Sequence, residues 1–415
     1  MDESKYKVFP YRWLILAVMV PVIIATEIYW LAFAPIASLA ENFYGVSSIG
    51  ITIFSMIYML MYILFTIPAS WVIDKYGAKV SVLIGAFITA GFGIIRFIFA
   101  DVFPVVLMTQ FFIAIGQPFL INISTKIPAN WFPVKERATA SGILVMAQYL
   151  GFIVPMALSP ILATSIGIKS MLGIYAIIAS AATLLVVIFL KEKPKVAPGP
   201  EAEKENISLK SMKNLLVNKN FNYVLIVSFI AMGMFNTLLT MVEKILTPRG
   251  ISFENAGWVG TAFIVAGVIG AVVLPMISDK IVKRVPLFRL GLALIIPLVV
   301  GLTFLGGYIM ILIDAAILGF VIMGLAPILF QHGAEVAYPA REGTSFGLIL
   351  MAGQISGILF VYLFDVLLGA SGKILVPMIG IIALTLIQFP FSFKMKESKI
   401  LMALQAEKKA SKSIS

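Results

Sequence analysis

Cysteine is absent from the 415 residues, which excludes disulfides, thiolate metal sites and a cysteine nucleophile. Histidine is nearly as scarce. His332 stands alone, so zinc centres, haem ligation by paired histidines and histidine-based triads have little support, and the residue reads instead as a hydrogen-bonding group near a helix end. Charged residues make up only 12% of the chain, against about 25% in ordinary soluble domains. No glycine-rich loop of the Walker type is present, so ATP drive is not expected, and no catalytic constellation points to an enzyme.

What the chain has in abundance is apolar surface. Hydrophobic residues make up 60% of it, and the mean hydropathy is +1.03. A soluble fold of this size cannot hide that much, whereas lipid can solvate it, and a span needs roughly 20 apolar residues. Twelve apolar runs succeed one another, the first beginning near Trp13 and the last ending near Phe393. The first run continues to about Ser38, too long for the core of a cleavable signal. The expected fold class is an all-α membrane protein with twelve transmembrane helices.

Basic residues fix the expected orientation, because Lys and Arg accumulate on the cytoplasmic side. With both termini cytoplasmic, 26 of the 31 basic residues fall on that side, and only Arg96, Lys169, Lys244, Arg249 and Lys373 remain for the other. Topology therefore accounts for the isoelectric point near 9.6, and no nucleic-acid partner is needed. The Pro-, Lys- and Glu-rich stretch from Lys191 to Asn220 cannot build a core and reads as a solvated linker. The division is an N-terminal six-helix bundle (1–190), a cytoplasmic linker (191–220), a C-terminal six-helix bundle (221–393) and a cytoplasmic tail (394–415). An internal repeat supports two pseudo-symmetric bundles: Asp74 is matched by Asp279, and Arg137 by Glu342, at the same offset of 205.

Two levels of resemblance follow from these motifs. SWVIDKYGAK, Ser70–Lys79, lies in a very short turn between spans and resembles the loop signature of the major facilitator superfamily, Gly-x-x-x-Asp-Arg/Lys-x-Gly-x-Arg/Lys. Asp74, Lys75, Gly77 and Lys79 fit, while Ser70 replaces the first glycine. The resemblance implies the major facilitator fold. An acid beside a base there could cap a helix end and latch one conformation, so Asp74, Lys75, Gly77, Lys79, Arg137, Asp279 and Glu342 are the candidate gating residues. FYGV (43–46), MIYMLMY (56–62), PASWVIDKYG (68–77), WFPVKERATA (131–140) and EVAYPAREGTSFG (335–347) further resemble the branch of feline leukaemia virus subgroup C receptor-related transporters. That branch is associated with choline and ethanolamine and, historically, with haem.

Polar side chains halfway through a span are costly and mark candidate binding residues. Glu27 and Trp30 lie three residues apart on one face of helix 1, a carboxylate beside an aromatic ring. Gln117 in helix 4, Gln148 in helix 5, Asn236 in helix 7 and Gln354 in helix 11 fall near their span centres, and Asn236, Thr240 and Glu243 share one expected stripe. A single buried amide is commonly interhelical glue; four of them with Glu27 and Trp30 form a candidate substrate site. The family resemblance implies that Trp30 and Gln117 contact a quaternary ammonium, and that Asn236 stands where an aromatic cage member is expected.

The expected function is a multi-pass transporter of the cell (plasma or inner) membrane that moves a small solute by alternating access, with an organic cation such as choline or a related amine as the substrate class. Its expected partners are the small-molecule substrate, the lipid bilayer and a coupling proton or sodium ion, and the expected state is a monomer with no cofactor and no metal. Two alternatives stay open: proton-coupled efflux of hydrophobic cations with Glu27 as proton carrier, and a non-transporting membrane receptor.

Overall fold

The computed structural model describes residues 7–198, 215–338, 342–398 and 402. The described elements are helices. In order they are α1 (Tyr11–Leu31), α2 (Ala37–Tyr44), α3 (Ser48–Tyr76), α4 (Ala78–Ile98), α5 (Phe103–Ile121), α6 (Lys126–Trp131) and α7 (Val134–Phe189). There follow α8 (Lys219–Thr240), α9 (Val242–Leu246), α10 (Phe253–Ile281), α11 (Val285–Phe304), α12 (Tyr308–Ala337), α13 (Glu342–Ser371) and α14 (Leu375–Lys394).

Eleven of the described helical stretches are long and apolar enough to cross a membrane. One of them, α7, runs for 56 residues but leaves helical geometry at Gly167 (φ 85°, ψ 158°). At 1.5 Å per residue it measures roughly 84 Å, far beyond a ~30 Å hydrocarbon layer, so Gly167 divides it into two crossing lengths. With that division the count is twelve, as the hydropathy pattern predicts. Only glycine takes the left-handed backbone at such a reversal without strain.

The chain separates into two compact units. The first holds the described residues up to 203 together with Val242–Thr247 and Ser252–Gly257; the second holds the rest. In the first, α1 packs most extensively on α7, and α4 lies against both α5 and α7. Gly85 of α4 and Gly116 of α5 face each other so closely that a Cβ on Gly116 would sit 3.1 Å from the Gly85 carbonyl oxygen. Small residues at such a crossing let backbones approach, which drives helix association where lipid gives no hydrophobic gain. In the second unit α8 packs on α13, and α11 on α12 and α14.

Two of the basic residues assigned to the non-cytoplasmic side are buried. Arg96 and Lys244 are 0% and 6% exposed. Arg96 is held inside the first unit by Thr109 Oγ1 (3.1 Å), by the Val106 carbonyl (3.3 Å) and by Gln110 Oε1, with the Tyr29 and Phe54 rings 5.3 and 5.7 Å from its guanidinium. A charge census counts residues near span ends but does not see which way they point. His332 lies near the C-terminal end of α12, as expected, and is buried at 2% exposure.

The turn after α3 and the turn after α10 share one backbone peculiarity. Gly77 has φ 94°, and Val282, 205 residues later, has φ 54°, the only positive φ at a non-glycine among the described residues. The fold demands a left-handed residue at both places, but only the first unit supplies a glycine. A left-handed backbone costs an L-residue with a Cβ about 1–2 kcal/mol, and a β-branched one more still. Val282→Gly is therefore expected to hold or raise the thermal midpoint of the purified protein. Gly77→Val should lower it by several degrees, since it adds that strain and drives a Cβ to 2.6 Å from the Glu192 carboxyl carbon.

Candidate functional site

The first unit gathers Glu27, Trp30 and Gln117. Apolar residues along α1 bury it against α7, and Gly151 of α7 sits where the two are closest: a Cβ there would lie 2.5 Å from Glu27 Cβ. That notch lets a helix carrying a carboxylate press against its neighbour. Glu27 is 1% exposed, and Gln117 Nε2 donates to both of its oxygens at 3.0 Å. One amide is the only polar side chain described on this carboxylate, and among the described residues no base pairs with it. A buried carboxylate stripped of water costs several kcal/mol unless it gains a proton or a cation.

Trp30 lies one turn further along the same face. Its Nε1 donates to the Ser55 carbonyl at 3.3 Å, and Ser55 Oγ donates back to the Trp30 carbonyl at 3.4 Å, so the indole is fixed between α1 and α3. Phe152 of α7 meets it edge to face, with ring centroids 5.0 Å apart at 74°. Tyr149 extends the aromatic group, 6.0 Å from Phe152. Gln148 is half-buried one turn before Phe152 on α7. Pro118 follows Gln117, and the α5 helix ends at Ile121 before a 3₁₀ turn, as a proline that removes a backbone donor leads one to expect. The α1 face thus carries a buried carboxylate and, one helical turn on, an indole packed edge to face on a second aromatic ring. Such a face suits a small cation, through Coulomb attraction and ring-face contact.

In the second unit, Asn236 of α8 is 4% exposed and donates to the Gly353 carbonyl of α13 at 3.4 Å. Gln354, the next residue, is half-buried. The stripe expected to run from Asn236 through Thr240 to Glu243 is broken: α8 ends at Thr240, and Glu243 belongs to the short α9. By its contacts α9 is part of the first unit. There Ser38 donates to Glu243 from its amide (3.2 Å) and hydroxyl (2.9 Å). Lys244 pairs with Glu41 at 3.1 Å and also donates to Thr52 Oγ1 at 3.0 Å. Glu243 and Lys244 are thus satisfied locally.

The candidate gating residues divide the same way. Asp74 and Lys75 are exposed at the end of α3, with Lys75 Nζ 4.6 Å from the Trp71 ring. Arg137 donates to the Phe132 carbonyl at 3.1 Å. Asp279 pairs with Arg284. Glu342 opens α13, but its side chain lies outside the described residues. Sequence reading passed over Glu192, whose oxygens accept from the amides of Ala78 (3.0 Å) and Lys79 (2.6 Å) and so cap α4. It also passed over Glu397, whose Oε1 accepts from the amides of Arg284 (2.9 Å) and Val285 (3.0 Å) and caps α11. The two carboxylates are 205 residues apart, the offset that already relates Asp74 to Asp279, so the signal was present in the sequence.

Comparison with known proteins agrees with this architecture. Residues 11–361 match the Major Facilitator Superfamily profile. An uncharacterized MFS-type transporter of Caenorhabditis elegans is 31% identical over 89% of this chain and 67% of its own length. The choline/ethanolamine transporter flvcr2b of Danio rerio is 30% identical over 85% of this chain and 77% of its own. The choline/ethanolamine transporter FLVCR2 of Homo sapiens is 29% identical, over 86% and 72%. In fold, the chain is similar to the inward-facing crystal structure of a bacterial homolog of the human lysosomal transporter Spinster. The TM-score is 0.71 at 15% identity, with 94% of this chain and 98% of that one covered. The chain therefore belongs to the Major Facilitator Superfamily, a family of multi-pass membrane transporters, and its relatives there include the choline/ethanolamine transporters of the feline leukaemia virus subgroup C receptor-related branch.

Proposed function

We propose that this transporter carries a small organic cation, an amine or quaternary ammonium such as ethanolamine or choline, across a cell membrane by alternating access. It acts as a monomer with both termini cytoplasmic. Glu27 supplies the charge, Trp30 the ring face, and Gln117 holds the Glu27 carboxylate in place. Gln148 is the further polar candidate of the first unit, and Asn236 and Gln354 are the polar candidates of the second. The observation that carries the proposal is the bare Glu27 carboxylate: 1% exposed, bonded to one amide and without a base among the described residues. An arriving ammonium group is the charge partner this carboxylate lacks. The names of the relatives point to the same substrate class.

The same observation favours a second reading, in which Glu27 takes a proton and couples efflux of hydrophobic cations to a proton gradient. A proton and an ammonium group satisfy a lone carboxylate equally well, so the two readings differ in what a neutral side chain at this position abolishes.

Cation–π contact in a desolvated site is worth ~1–2 kcal/mol, and each 1.4 kcal/mol is about tenfold in affinity. Trp30→Ala is accordingly expected to weaken choline or ethanolamine binding by roughly tenfold or more, measured by calorimetry on protein in nanodiscs. Unaltered affinity for both amines would dispose of the cation site. Glu27→Gln should abolish binding of either amine if the carboxylate is the counter-ion. If it is instead a proton carrier, the variant keeps its affinity but loses uptake driven by a pH gradient in proteoliposomes.

A further inference from the structure

The repeat relates more than the acid-base turns. At the 205-residue offset Asp74 meets Asp279, the left-handed Gly77 meets the left-handed Val282, Lys79 meets Arg284, and Glu192 meets Glu397. In each unit the glutamate follows the last crossing helix, in Lys191-Glu192 after α7 and Lys396-Glu397 after α14. Each reaches back more than a hundred residues to the amides that open the helix after the turn. A second tie accompanies each. Asn130 Nδ2, at the end of α6, donates to the Glu192 carbonyl at 3.3 Å. Its equivalent at the same offset, Glu335, accepts from Ser398 Oγ at 3.0 Å and pairs with Arg284 at 3.3 Å.

We infer that Glu192 and Glu397 are positioning residues for the transport cycle: each straps the segment leaving its unit to the acid-base turn, so that a pull on linker or tail is felt at the turn. The inference rests on the chain being a transporter but not on the identity of its substrate.

Several observations separate this from incidental capping. Helix starts are ordinarily capped by a side chain one to three residues away, whereas these two ends are capped from 113 and 113 residues away. Gly77 carries both the backbone angle and the room that the arrangement needs, since any Cβ there would collide with the Glu192 carboxylate. Val282 keeps the left-handed angle without the glycine, so the second turn is held in that shape against strain. The straps are also charged groups at positive helix ends, where a carboxylate is favoured and a neutral amide less so. Lys191 adds a further hold in the first unit, its Nζ lying 4.4 Å from the Tyr11 ring.

The test exploits the natural lack of cysteine. Tyr76 and Ile281, exposed equivalents at the 205-residue offset, are changed to cysteine and spin-labelled in the full chain in nanodiscs. The distance distribution between the labels is then measured by pulsed electron paramagnetic resonance, alongside amide hydrogen exchange of residues 78–82 and 284–288. In Glu192→Gln/Glu397→Gln, exchange in both segments should rise at least about tenfold and the ratio of distance populations should change at least about threefold, with each single variant intermediate. The more disruptive Glu192→Ala/Glu397→Ala should go further in both readouts. A distribution that stays as in the parent while exchange rises would mean caps that stabilise helix starts and nothing more. Exchange unchanged in both variants would mean that the straps are not made in solution. Either result overturns the inference. Failure of choline or ethanolamine binding in the parent would count against the substrate reading alone, because neither readout needs a substrate.

Discussion

A carboxylate in the middle of an apolar helix has to be satisfied by something, and the protein surrounding Glu27 offers it one glutamine amide. The rest of the first unit can be understood from that constraint. Gly151 brings α7 against α1 at this level, Gln117 is brought in on α5, and Trp30, one turn further along α1, is held by its indole N–H on the Ser55 carbonyl. Packing that would otherwise be a uniform leucine and isoleucine interior is interrupted here by groups that hydrogen-bond. Polar atoms in lipid-spanning helices are costly and are seldom retained without a function, and a buried acid one turn from an indole is the arrangement on which the proposed recognition of a small positive charge rests.

Arg96 is placed differently. It is as deeply buried as Glu27 but is held by a threonine, a carbonyl and a glutamine, and flanked by two aromatic rings. Gln110, which accepts from Arg96, also donates to the carbonyls of Tyr29 (3.2 Å) and Phe54 (2.9 Å), tying α1 to α3 and α5 just beyond Trp30. Two buried charges in one unit therefore have different surroundings: the cation is embedded in a network that knits helices together, and the anion is bonded to one glutamine amide.

Much of this was legible in the sequence for simple reasons. The spans announce themselves because lipid leaves no substitute for roughly 20 apolar residues, and the twofold repeat shows because Asp74 and Asp279 sit in turns too short to drift. Glu27, Trp30 and Gln117 could be singled out by depth, yet nothing along the chain says that Gln117 rather than Gln110 meets Glu27, since both lie on one stripe of α5 and only packing separates them. That Arg96 and Lys244 are buried is not visible in a charge count, which does not say which way a side chain points. The end of α8 at Thr240, which removes Glu243 from the expected stripe, has no breaker residue to announce it. Glu192 and Glu397 were hidden by composition: each lies among lysines in a stretch that reads as solvated, and only their shared offset betrays the role.

The central claim is that the corner formed by Glu27, Trp30 and Gln117 is reached from water by a small cation. With no native cysteine to interfere, the most direct measurement places a single cysteine at Gln148, one turn from Phe152 on α7, and follows its modification by a quaternary-ammonium thiol reagent in proteoliposomes. Modification is expected, slowed severalfold by choline or ethanolamine. A cysteine at this position that stays unmodified, or is modified at a rate neither amine alters, would contradict the central claim.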